Sequence, residues 1–167
     1  ALGAYRDERI PKLILSRTRS GLPPRAQGAA YEALGKQRER ADLRALEEGI
    51  GSRSYGAFAA SGALRGLGHS HQEAALPILI RALHARGAID ERARPEAAKA
   101  LAILAPALEQ AGRLKLTAAL EDALRDERAP TRLASVEALL SIDRDHAGLD
   151  RAIAALPLEA RSRLERE

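Results

Sequence analysis

A short leucine-centred triplet recurs along the chain at nearly constant spacing. It reads Ala1-Leu2-Gly3, Ala33-Leu34-Gly35, Gly66-Leu67-Gly68, Ala100-Leu101-Ala102 and Ala138-Leu139-Leu140. The leucines Leu2, Leu34, Leu67, Leu101 and Leu139 lie 32, 33, 34 and 38 residues apart. A period of this size marks a repeat architecture, in which each unit buries its apolar face only against its neighbours. The first triplet has no helix in front of it. The chain is therefore expected to open inside a truncated unit and to be the C-terminal fragment of a longer protein.

Which element fills each unit follows from the residue types. Alanine occurs 36 times and leucine 26, against nine isoleucines, one valine and four aromatic residues. The chain is thus rich in the best apolar helix formers and poor in strand formers, which predicts an all-α fold. With no cysteine there is neither a disulfide framework nor a thiolate metal site. No apolar run reaches membrane-spanning length and no signal pattern is visible, so a cytoplasmic location without membrane contact is expected.

Each unit reads as two helices. The spacing predicts helices near 7–19, 24–35, 41–49, 55–67, 71–86, 93–105, 113–126, 130–141 and 147–156, with a charged tail after Pro157. Pro77 inside 71–86 predicts a kink or a late start. Residues 1–167 are read as a single domain of about five units, the first truncated. The expected architecture is a right-handed α-solenoid of stacked antiparallel helix pairs.

The last two units align best: Ala93-Arg94-Pro95-Glu96-Ala97-Ala98-Lys99-Ala100-Leu101 with Thr131-Arg132-Leu133-Ala134-Ser135-Val136-Glu137-Ala138-Leu139. An Arg stands seven residues before each motif leucine. Asp126 lies six residues before Arg132, across the inter-unit turn, where the planar guanidinium is expected to bind that carboxylate and the turn carbonyls.

This pattern resembles the HEAT repeat, with Asp in the turn followed by Arg-x-x-Ala-x-x-Ala-Leu. The tetratricopeptide repeat suits the period but lacks its aromatic positions here, and ranks second. A narrower resemblance covers most of residues 1–105. Ala1-Leu2-Gly3-Ala4-Tyr5-Arg6, Glu32-Ala33-Leu34-Gly35-Lys36 and Ser54-Tyr55 ahead of Ala63-Leu64-Arg65-Gly66-Leu67 are similar to the HEAT-like C-terminal domain of bacterial aminopeptidase N-type zinc metallopeptidases. That resemblance implies a non-catalytic domain that packs on the catalytic domain of the same polypeptide and controls substrate access, with possible self-association. It also implies that zinc and the His-Glu-x-x-His motif belong to the missing N-terminal part, and no catalytic residue is carried over.

No catalytic set is legible in the residues themselves. His69-Ser70-His71 is the one cluster of metal-ligand types. Ser70 and Glu73 fit a capping box for the next helix, which is the favoured reading over a metal pair of His69 and His71. The second helices are expected to line the concave side, and their polar residues Arg44, Glu47, Arg81, His84, Lys115 and Arg125 are candidate contacts.

Charge leaves a competing reading. Residues 1–54 carry 11 basic and 7 acidic groups, and residues 55–167 carry 16 of each. The whole net charge of +4 therefore sits in the first third, where Arg6, Arg9, Lys12, Arg17, Arg19 and Arg25 form a basic stretch. On a helix over 7–19, Arg9 and Lys12 share a side and are candidate phosphate contacts, and replacing Arg17 and Arg19 would test the stretch. The alternatives to the metallopeptidase domain are a stand-alone HEAT scaffold that binds another protein and, third, a nucleic-acid binder.

Overall fold

The computed structural model describes residues 9–164 apart from Ser20 and Ala147, without the side chains of Arg19, Arg151 and Arg163. Leu2, the first triplet and Arg6 lie outside the described residues. The described chain is all-helical, with ten α-helices: α1 (Arg9–Arg19), α2 (Pro24–Gly35), α3 (Leu43–Ile50), α4 (Phe58–Ser70), α5 (Leu76–His84), α6 (Arg94–Leu104), α7 (Gln110–Ala123), α8 (Ala129–Ile142), α9 (Leu149–Ala154) and α10 (Leu158–Leu164). Among the described residues no helix is long and apolar enough to cross a membrane.

Proline sets several of the helix starts. Pro24, Pro77, Pro95 and Pro130 each occupy one of the first two helical positions, where the missing N–H has no intrahelical partner to lose. Pro77 thus gives a late start: α5 begins at Leu76, after a single 3₁₀ turn over Glu73–Ala75.

The Ser70–Glu73 capping box does not form. Ser70 is the last residue of α4, and its hydroxyl donates back to the Leu67 carbonyl at 2.7 Å. His71 follows in the left-handed conformation (φ 52°), the usual way of ending a helix. The helical run of α4 carries on three residues past the expected stop at residue 67 and ends at Ser70, where His71 turns left-handed.

The helices interlock in sequence order. α2 lies along α4, α4 along α6 and α6 along α8, while α3, α5 and α7 rest mainly on α4, α6 and α8. One continuous core results. The motif leucines Leu34, Leu67, Leu101 and Leu139 are all buried in it, together with Leu46, Leu64, Leu79, Leu83, Leu104, Leu116 and Leu120. Each such side chain stabilises the fold by about 1.5–3 kcal/mol relative to exposure.

Glycine brings the first helices into backbone contact. A Cβ built on Gly62 of α4 would land on the Gly28 carbonyl of α2, and one built on Gly35 would land on the Gly66 carbonyl. A Cβ on Gly66 would lie 2.6 Å from the Tyr31 carbonyl, and one on Gly68 would lie 2.6 Å from the Ala100 carbonyl of α6. Contacts advance together along both helices, from Gly28–Gly62 to Gly35–Gly66, so α2 and α4 run parallel. No side chain fits between them.

This seam makes a direct prediction. Gly62→Ala is expected to cost about 3 kcal/mol, at the upper end for overpacking, because its obstacle is backbone and cannot rotate away. Gly51→Ala faces only the Glu48 carbonyl at an ordinary 3.5 Å, has no left-handed φ, and should be neutral or slightly stabilising. Urea unfolding followed by circular dichroism compares the two; equal effects would refute the seam.

Candidate interaction surface

The best-built polar feature is the junction around Arg94. Its position in the first turn of α6 brings the guanidinium under the end of α5, where the last carbonyls lack helical partners. Arg94 is fully buried. Its Nε and Nη2 donate to the Leu83 carbonyl at 3.0 and 2.8 Å. Nη1 donates to Glu91 at 2.9 Å, and Nη2 to the Asp126 carboxylate at 2.5 Å. Asp126, also buried, accepts a further hydrogen bond from the Arg128 amide at 3.0 Å. One guanidinium therefore joins the end of α5, the start of α6 and the turn between α7 and α8.

The arginine expected on the Asp126 carboxylate takes the turn carbonyls, as expected, but not the carboxylate. Arg132 Nη1 donates to the main-chain carbonyls of Asp126 and Glu127, at 2.8 and 3.0 Å. The turn carbonyls thus go to the Arg that follows the turn, and the carboxylate goes to the Arg one unit earlier, 32 residues upstream. The reason is geometric: the carboxylate points into the stack, where a buried cation already needs it.

A second set of ion pairs runs over the first helices. Arg65 of α4 donates to Glu32 of α2 at 2.9 Å and to Glu96 of α6 at 3.1 Å. Lys36, just past the end of α2, and Lys99, within α6, pair with the same two carboxylates. Sequence reasoning missed this ladder. Its signal was present as charges of alternating sign near the motif period, at 32, 65 and 96.

The second helices carry cross-unit pairs of their own. Glu47 of α3 meets Arg81 of α5 at 2.7 Å, His84 of α5 meets Asp122 of α7 at 3.6 Å, and Glu121 of α7 meets His146 at 2.8 Å. Arg44 pairs with Glu48 within α3 and is almost fully exposed. Lys115 and Arg125 make no ion pair with any described residue. Two open clefts lie on this side. One, of 300 Å³ between α3 and α5, is lined by Glu47, Ile50, Ile78, Arg81 and Ile89 among others. The other, of 440 Å³, is lined by Ala118, Glu121, Asp122, Leu124, Arg125 and Ala152 among others, bringing α7 and α9 together. Lys115 lines neither.

The histidine cluster resolves into two separate environments. His69, in the last turn of α4, stands 3.9 Å from Glu32 in the first-helix ladder. His71 lies beyond the helix end, within the field of Arg38. Burial lowers the pKa of both rings. The charge of Lys36 adds to this for His69, and that of Arg38 for His71. Among the described residues no three His, Cys, Asp or Glu side chains gather closely enough to hold a metal ion.

No protein-family pattern matches this chain. No curated protein and no solved structure is significantly similar to it either. Its chemistry must therefore be read from its own residues.

Electrostatics adds a pH dependence to the junction. Burial raises the pKa of Asp126, but the hydrogen bonds from Arg94 and the Arg128 amide, with the charges of Arg94 and Arg86, outweigh it and hold the carboxyl below its ordinary 3.8. The Arg94 and Gly87 hydrogen bonds likewise depress Glu91, and Lys36 with Arg65 overcome burial to depress Glu32, both below 4.5. Groups with lowered carboxyl pKa stabilise the fold above their ordinary values, and that contribution is lost as the pH falls below them. The two depressed histidines act in the same direction as the pH falls below 6.5.

Asp126→Asn should therefore cost about 3 kcal/mol at neutral pH, because it strands a buried guanidinium. Its unfolding curve should also flatten between pH 5 and pH 3 relative to the parent, a range estimated from the ordinary span of carboxyl titration, roughly. Replacing both partners, in Arg94→Met with Asp126→Leu, should recover most of the loss. Urea denaturation across this pH range reads all three. A loss below about 0.5 kcal/mol for the single variant, the level of an exposed pair, would remove the junction from its structural role.

Proposed function

We propose that this chain is a non-catalytic, HEAT-like α-solenoid, a right-handed stack of helix pairs, that works by packing against another protein surface. The observation that carries this reading is the sequential engagement of first helices, α2 on α4, α4 on α6 and α6 on α8, with one arginine bridging successive units. Such a stack is quasi-one-dimensional and offers an extended face rather than a single deep pocket.

The face we assign to contact is that of the second helices. Its two clefts combine apolar lining, from Ile50, Ile78 and Ile89 and from Ala118, Leu124 and Ala152, with charged side chains such as Glu47, Arg81, Glu121 and Arg125. This mixed composition suits a protein interface.

A narrower form of the proposal follows from the sequence resemblance. In it the partner is the catalytic domain of a zinc aminopeptidase-like enzyme on the same polypeptide, the zinc is held there, and this chain restricts the route to that site. The test is an activity assay of the purified chain on aminoacyl 4-nitroanilides, with and without added zinc. No turnover is expected in either case, and metal-dependent hydrolysis would overturn the non-catalytic reading. A His-Glu-x-x-His motif encoded upstream of Ala1 separates the narrower form from a free-standing scaffold.

A further inference from the structure

The turns leading into the first helices differ along the chain in their acid content. Before α6 and α8 they read Asp90-Glu91-Arg92-Ala93 and Asp126-Glu127-Arg128. Before α2 and α4 they read Gly21-Leu22-Pro23 and Gly51-Ser52-Arg53-Ser54-Tyr55, with no acid. Around the acidic turns, Arg92 forks onto Asp90 at 2.7 and 3.0 Å, Arg94 takes Glu91 and Asp126, and Arg128 stands 4.0 Å from Glu91. In the acid-free turns, Arg53 and the neighbouring Arg25 of α2 make no ion pair with any described residue.

Contacts gather the segments that carry these groups around Phe58. The Arg25 guanidinium lies over the Phe58 ring, 4.9 Å from its centre. That stacking uses the planar face and leaves the N–H edge open to an acceptor. A Cβ built on Gly56 would lie 2.6 Å from the same ring, so the Arg53–Gly56 segment borders it too. Tyr55 projects from that segment, 85 % exposed. Beside them, the Thr18 carbonyl of α1 accepts from Gln27, two residues beyond Arg25.

The carboxylates of this region are largely engaged already. Glu32 is held by Lys36 and Arg65, Glu47 by Arg81 and Glu48 by Arg44, and Asp42 caps α3 through the Ala45 amide. Tyr55 lies within the field of Arg92, and the Asp90 carboxylate beside it is in turn taken up by Arg92 at 2.7 Å.

We propose that the surface around Phe58, centred on Arg25, Arg53 and Tyr55, docks an acidic segment of a partner polypeptide. The proposal rests on the protein-packing function above and adds the partner's chemistry and a second contact point. Two open guanidinium forks suit carboxylates, which they bind with paired N–H donors. An exposed tyrosine beside them suits a peptide, to which it offers both apolar area and a hydroxyl. A duplex nucleic acid is poorly matched, since its binding typically rests on about six to ten phosphate contacts.

The test is fluorescence anisotropy of the whole chain with a labelled decaglutamate peptide at low salt, with an equally labelled thymidine decanucleotide in parallel. The peptide should bind, and Arg25→Glu with Arg53→Glu should weaken it by about tenfold, through lost attraction and added repulsion. Arg144→Glu with Arg161→Glu makes the same charge change elsewhere and should alter binding less than about twofold, the expectation for charges outside the docking site. Circular dichroism checks folding, and if the reversal unfolds the chain, Arg25→Gln with Arg53→Gln takes its place with a loss of about threefold. Absence of peptide binding, equal losses in the two pairs, or tighter binding of the decanucleotide would each overturn the proposal. None of these results bears on whether the chain hydrolyses a nitroanilide, so the two readings fail separately.

Discussion

The parallel contact of α2 with α4, made through Gly28, Gly35, Gly62 and Gly66, fixes the spacing on which the neighbouring elements depend. With backbone meeting backbone, no side chain is left to set the distance. The leucines on either side then have a cavity of defined width to fill. Leu34 and Leu67 are completely buried at that width. Ion pairs as short as Arg65–Glu32 also become possible across neighbouring helices. The entropic disadvantage of glycine within a helix, about 1 kcal/mol against alanine, is offset by close packing along the full contact.

The Arg94–Asp126 junction does different work. A buried pair of this kind contributes little net stability against an apolar substitute, since desolvation nearly cancels the attraction. What it supplies here is registration. The fork of Arg94 accepts only one placement of the α5 terminus relative to the α7–α8 turn, and leucine side chains could tolerate several. Glu91 and Asp126 are therefore committed to holding the helices together.

Much of the architecture was legible in the sequence because it follows from residue type and period. The buried leucines Leu34, Leu67, Leu101 and Leu139 could be read from their spacing, and the first helices of units two, four and five from their alanine stripes and starting prolines. Second-helix boundaries were less legible. α5 starts five residues later than expected and α7 three earlier, because 3₁₀ turns before Leu76 and after Leu104 take up chain that a period alone cannot apportion. Glycine was ambiguous: the same residue that stops a helix also lets two helices touch, and only the four-residue interval between Gly62 and Gly66 pointed to the second role. Asp126 was marked as a partner for an arginine, yet the choice between Arg94 and Arg132 required knowing which way the carboxylate faces.

The contrast between the two layers has a mechanical consequence. Helices α2 and α4 meet along main chain, and α4 touches α6 the same way at Gly68, whereas clefts separate α3 from α5 and α7 from α9. Bending the molecule must then pivot on the glycine-lined spine and open or narrow those clefts, so their width becomes the soft coordinate of the fold. A partner seated there would act as a wedge, converting its own thickness into curvature of the entire stack.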